Sequence, residues 1–212
     1  MGSMRRTLTL VSLGALLALA AAFTASARTD ATATSVISYG QTVKIAGTVP
    51  ATLRSASRMQ VLTIACGFST YTRVAQFRMP AGGRYSYTSA PTISTVYSMR
   101  AGDLEVQKRN VRVRPLVALT KVGARYRADV TSAGGTTFGG KTIVFERARS
   151  AKGPWTKVSA PKLKHTSSPT AINAVASATA PRVAAGSFLR ARFPAASARP
   201  CYDGAVSAAA RV

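Results

Sequence analysis

The sequence predicts an all-β chain built as two tandem antiparallel β-sandwiches, and three observations predict it. Many short runs alternate apolar and polar residues, the period of a half-buried strand. Gly and Pro clusters fall between those runs, and few stretches carry the period of an amphipathic helix. At Val111–Leu119 an alternating run meets Pro115, and a second apolar run starts at once. Proline has no N–H to give a ladder and sits badly inside a central strand. One strand therefore closes a first unit there, and the next opens a second.

The chain begins with an address. Arg5 and Arg6 form a positive n-region, Leu8 to Phe23 is uncharged and nearly all apolar, and Ala25-Ser26-Ala27 is an A-x-A cleavage site. Cleavage there makes residues 1–27 a signal peptide and Arg28 the mature N-terminus. The apolar run is about 16 residues long, short of the roughly 20 that span a bilayer. An uncleaved anchor is the competing reading. No cysteine follows the run, so no lipid attachment is expected, and the Arg pair leaves Sec and twin-arginine export both open. No second long apolar run exists. The mature chain is thus expected to be secreted, without a transmembrane span.

Residues 28–33 are polar and alanine-rich, and read as a loose N-terminal lead. In the first unit, 34–114, the turn Tyr39-Gly40-Gln41 precedes a strand in which Val43, Ile45, Gly47 and Val49 alternate with polar neighbours. Met59 to Ala65 is apolar on both faces, hence central. Ala75, Phe77 and Met79 share one face of a third strand. Pro80-Ala81-Gly82-Gly83 is a turn, and Arg84 to Thr88 a strand with both tyrosines on one side. Ile93, Thr95, Tyr97 and Met99 alternate, and Leu104 to Val113 closes the unit. In the second unit, 116–212, Leu116 to Leu119 opens the plan, and Tyr126, Ala128 and Val130 alternate with charged residues. Lys141 to Arg147 and Trp155 to Val158 are strands on either side of a Gly-Pro turn. Leu189, Ala191 and Phe193 line one face of another, and Ala205 to Val212 is the closing strand. Between Ser167 and Gly186 alanine and threonine blur the pattern. Each unit is near the ~100 residues of an immunoglobulin-like sandwich.

Tyr39–Val49, Gly82–Tyr87, Pro91–Tyr97 and Val113-Arg114-Pro115 resemble the immunoglobulin-like repeats of secreted actinobacterial proteins. Phe138–Lys141, Gly153-Pro154-Trp155 and Phe188–Arg192 occupy similar places in the second half. The resemblance covers nearly all of the mature chain and implies tandem immunoglobulin-like sandwiches in an extracellular or cell-surface setting. It supplies no catalytic or ligand-binding residues.

Charge is the strongest functional signal. The chain holds 29 Lys and Arg against 6 Asp and Glu, a formal net charge of +23. An excess this large implies attraction to polyanions. Arg112/Arg114, Arg125/Arg127, Arg147/Arg149, Lys162/Lys164 and Arg190/Arg192 are each spaced i, i+2, which on a strand sets both cations on one face. Strands side by side would make a basic plate suited to phosphate or carboxylate, with the eight arginines as its anion-binding groups. The competing reading is the ordinary solvent face of half-buried strands. The expected partner is an anionic cell-envelope polymer or another surface protein. Nucleic acid has little support, since no recognised module accompanies the charge.

Other motifs point away from catalysis. Gly135 to Thr142 fits G-x-x-x-x-G-K-[ST] letter for letter, but the strand-forming Ile143-Val144-Phe145 follows where a P-loop opens a helix. It reads as a glycine-rich turn. His165 is the sole histidine, and zinc needs three or four ligands. Asp103 and Glu105, two residues apart beside a turn, balance local arginines rather than hydrolyse sugars. Trp155 follows a turn and covers a sandwich edge or offers a sugar platform. No enzyme, cofactor or metal is expected. Cys66 and Cys201 form an even count in an exported chain, which favours a disulfide between the units. Closing a loop of that length would stabilise by roughly 4 to 5 kcal/mol. A buried free Cys66 is the alternative. Two further functional readings stand behind the binding module: an inert spacer, and a remote, uncharacterised hydrolase.

Overall fold

The computed structural model describes residues 33–136, 138–167 and 171–212. The signal peptide and most of the N-terminal lead lie outside the described residues, as does Thr137 of the glycine-rich stretch. The first sandwich is made of β1 (Ala33–Ser38), β2 (Val43–Thr48), β3 (Arg58–Ala65), β4 (Thr72–Arg78), β5 (Arg84–Ser89), β6 (Thr95–Ala101) and β7 (Leu104–Arg114). A five-stranded sheet in the order β1-β7-β6-β3-β4 faces the two-stranded sheet β2-β5. Val43, Ile45 and Tyr85 from the small sheet meet Met59, Val61, Tyr97, Met99 and Val111 from the large one in a single buried cluster. The alternation read from Val43 and Ile45, from the two tyrosines of β5 and from Thr95, Tyr97 and Met99 is thus the inward face.

The second sandwich holds β8 (Leu116–Val122), β9 (Arg125–Ala133), β10 (Val144–Ala148), β11 (Thr156–Ser159), β12 (Lys164–His165), β13 (Asn173–Thr179), β14 (Phe188–Phe193), β15 (Ala205–Val206) and β16 (Ala210–Arg211). One sheet runs β12-β13-β9-β8, the other β11-β10-β14-β15, with β16 also on β14. Strands one, two, five and six share a sheet, while three, four, seven and the two short last strands share the other. This is the immunoglobulin division of strands, with a fourth strand added beside the third. Its core joins Val117, Ala128, Val130 and Ala176 to Phe145, Leu189, Ala191 and Phe193 across the two sheets. The chain is therefore all-β, with two tandem immunoglobulin-like sandwiches and two separate buried clusters.

Four local expectations need correction. The segment read as a loose lead ends in β1, which pairs with β7 in parallel, Ala33 opposite Arg109 through Ser38 opposite Arg114. The sandwiches are thus not wholly antiparallel. Thr34 and Ser35 hide the strand in sequence, but Ile37 packs against both cores. The strand expected from Lys141 starts only at Val144. Before it, Leu163 N–H bonds Lys141 O (2.9 Å) and Ile143 N–H bonds Pro161 O (3.1 Å), an irregular pairing. The closing strand from Ala205 to Val212 splits into β15 and β16, because the Ser207 hydroxyl accepts the Ala191 N–H (2.9 Å) where a backbone carbonyl would continue the ladder. The loop Pro194 to Gly204 contains a one-turn helix, α1 (Ala195–Ala198).

The sandwiches meet without a linker. Only Pro115 separates β7 from β8, and Val113 of β7 is fully buried in the second core. Cys66 and Cys201 form a disulfide, Cα–Cα 5.3 Å, across a sequence separation of 135 residues. Backbone bonds flank it: Cys66 N–H to Ser94 O (2.9 Å) and Ser94 N–H to Cys201 O (3.1 Å).

Candidate functional site

The arginine pairs follow from strand alternation, so each pair projects from one face. They do not assemble into one plate, because β7, β9 and β14 belong to three different sheets. On β7, Arg112 and Arg114 both turn to Asp203, at 2.8 Å and 4.0 Å. The Asp203 N–H donates to Val113 O between them (2.8 Å). On β14, Arg190 and Arg192 both hold Glu146 of β10, each at 2.7 Å. Trp155 lies under Arg190, its ring 4.2 Å from the guanidinium carbon, so the indole stacks on a cation of its own chain. Burial alone would raise the Glu146 carboxyl; hydrogen bonds from Arg192 and Arg190 outweigh it and hold the group below the usual carboxylate range.

On β9, Arg127 pairs with Asp129 at 3.0 Å, and Asp129 also accepts the Ser177 hydroxyl. Arg125 is exposed and has no acidic partner among the described residues, as is the case for Arg147 and Arg149. These last two line an open cleft of about 910 Å³ with Pro154, Thr156, Gly186 and Ser187. Lys162 donates to the Thr142 hydroxyl (2.9 Å), and Lys164 is exposed on β12. Of the eight arginines singled out in sequence, five are thus tied to carboxylates and three face solvent.

The remaining motifs sit apart. Glu105 accepts the Ser98 hydroxyl (2.6 Å), Asp103 is exposed in the β6–β7 turn, and His165 is exposed on β12 beside the Ser167 hydroxyl (3.3 Å). No group of three or more His, Cys, Asp or Glu among the described residues is placed to hold a metal ion. The stretch from Gly135 leads into strand β10, not a helix. Gly135 and Gly140 both have positive φ, +78° and +77°, as a glycine turn requires.

Sequence reasoning missed a second cleft, of about 720 Å³, where the sandwiches abut beside the disulfide. Phe68, Ile93, Phe138 and Tyr202 line it with the cations Lys141 and Arg199. Its residues come from four separate stretches of chain, mostly turns and loops, so no strand period marks them. The available signal was the placing of Phe68 and Phe138 inside otherwise small, polar turn sequences.

No protein-family model matches the chain, and no curated protein matches it. Among solved structures it is similar to a marsupial T cell receptor at 9% identity and a TM-score of 0.31, over 84% of this chain and 59% of that one. The chain therefore spans less than two thirds of that structure's length. Similarity at this level leaves the fold to be read from the sheets themselves. No helix among the described residues is long and apolar enough to cross a membrane.

Proposed function

We propose that this protein is a secreted, non-enzymatic binding module of two immunoglobulin-like units, 34–114 and 116–212, whose solvent-facing cations meet an anionic polymer of the cell envelope. An acidic surface on another protein is the second partner class of the same chemistry. One observation carries the reading: Arg147 and Arg149 share an open cleft without an acidic lining residue. Arginines held close to each other without a counter-charge raise each other's electrostatic energy, and a bound phosphate or carboxylate relieves it through bidentate contacts. The disulfide supports an oxidising compartment.

The test is retention of the purified chain on anionic wall polymer across a salt series. Retention at low ionic strength should fall steeply as the screening length shortens from ~10 Å at 0.1 M to ~3 Å at 1 M. Arg125→Ser/Arg147→Ser/Arg149→Ser should lower the salt at which the chain elutes more than the control Lys44→Ser/Arg78→Ser/Arg84→Ser, which removes the same charge from other exposed positions. Retention that is absent at low salt, or that falls equally in the two triple variants, rejects the reading and leaves an inert spacer.

A further inference from the structure

The cleft between the sandwiches has a different chemistry from the arginine cleft. Phe138 forms its floor, only 4% exposed, with its ring 5.4 Å from Tyr202 and edge-on to it. Ile93 packs on the same core. The phenol hydroxyl at the floor is already engaged. The Tyr202 hydroxyl donates to Thr92 O (3.0 Å) and accepts the Ala133 N–H (3.2 Å). The walls thus leave little to bind a polar ligand body and much to bind an apolar one.

The mouth is apolar as well. Phe68 lines it while 70% exposed. Ile172 lies outside the lining but neighbours it: it is 89% exposed, and its carbonyl takes the N–H of Gly134, which does line the cleft (2.7 Å). No other large apolar side chain among the described residues is as exposed as these two. Large apolar groups left bare around a concave site mark a binding surface. Lys141 and Arg199 also line the cleft, are exposed, and have no acidic partner among the described residues. A volume of about 720 Å³ is of the size that encloses a small ligand.

We propose that this cleft binds a single-chain anionic amphiphile, with its acyl chain along Phe68, Ile93 and Phe138 and its carboxylate or phosphate head at Lys141 and Arg199. The two cations select the charge of the head, and the aromatic floor selects an apolar tail. Nothing in this site is shared with the arginine cleft, so the two proposals stand or fall separately.

The experiment is calorimetric titration of the full disulfide-bonded chain with laurate, dodecyl phosphate and methyl laurate, each below its aggregation threshold. Saturable one-site binding of laurate or dodecyl phosphate is expected, with the uncharged ester roughly tenfold weaker. The tighter of the two anions assigns the head as carboxylate or phosphate. Lys141→Gln/Arg199→Gln should bring the anions down to the level of the ester and leave the ester unchanged. Phe68→Ala should weaken all three ligands about tenfold. All three substituted side chains are exposed, so folding is preserved. Ester and acid binding equally, no saturable binding of either anion, or a Phe68→Ala chain with unaltered affinity would each overturn the proposal.

Discussion

Asp203 and Glu146 do one chemical job in two places. Each carboxylate takes two arginines spaced i, i+2 on one strand, Arg112 with Arg114 and Arg190 with Arg192. Glu146 works inside a single sheet, directly opposite Arg190 in the β10–β14 register. Its side chain is 9% exposed and both contacts are 2.7 Å. Asp203 reaches from the second sandwich to β7 of the first. There the arginines are about half exposed, at 52% and 51%, and one contact stretches to 4.0 Å. The buried acid holds a sheet together. The wetter one marks a seam that the disulfide already closes.

The largest effect should come from the seam's covalent part. Cys66→Ser/Cys201→Ser removes the cross-link over 135 residues, and is expected to cost about 4 to 5 kcal/mol. Denaturant melts of the oxidised parent and the double variant measure it. A midpoint that stays put would mean that backbone bonds at Ser94 and the seating of Val113 in the second core hold the seam unaided, and the comparison would break there.

Glu146→Gln should be next, at about 2 kcal/mol, because two arginines stacked over a buried site lose their counter-charge while a neutral amide keeps some hydrogen bonding. The same group sets a pH dependence. Its folded-state carboxyl lies below the ordinary value, so its stabilisation is fully present above the unfolded-state value of about 4.3. That stabilisation is lost as pH falls through the lower, folded value. The parent should therefore lose stability on the acid limb more steeply than Glu146→Gln, and parallel acid limbs would count against the pairing.

How much of this was legible in sequence depends on which residues carry the signal. Strands whose inward residues are bulky, such as Val43 and Ile45, or Leu189 and Phe193, declare themselves, because alternation is the imprint of a buried face. β13 does not: Ala174, Ala176 and Ala178 are its inward residues, and alanine has little strand preference of its own. Pairing with β9 and β12 makes it a strand, which is information from elsewhere in the chain. The spacing of the arginine pairs placed both cations on one face. Which pairs would be neutralised was set by Glu146 and Asp203, acids 44 residues before Arg190 and 91 after Arg112. The cleft at the seam could not be assembled from sequence for the same reason: Phe68 and Phe138 stand out in their turns, but no local pattern ties them to Tyr202.

The smallest expected effect sharpens the comparison most. Asp203→Asn should cost no more than about 0.5–1 kcal/mol, since its arginines are half exposed and water screens the pair. The amide oxygen can still accept the Gly204 N–H that Asp203 takes at 3.1 Å. With the cross-link intact, the seam cannot open far even without the carboxylate, so part of the loss is masked. In the Cys66→Ser/Cys201→Ser background the same substitution acts on an untethered seam and should cost more. Coupling between neighbouring contacts of one interface shows as such non-additivity. A four-way cycle of melts measures it, with Glu146→Gln as the reference that should add independently of the cross-link. If Asp203→Asn adds as cleanly as Glu146→Gln does, the two carboxylates are alike after all, and the seam is a feature of the disulfide alone.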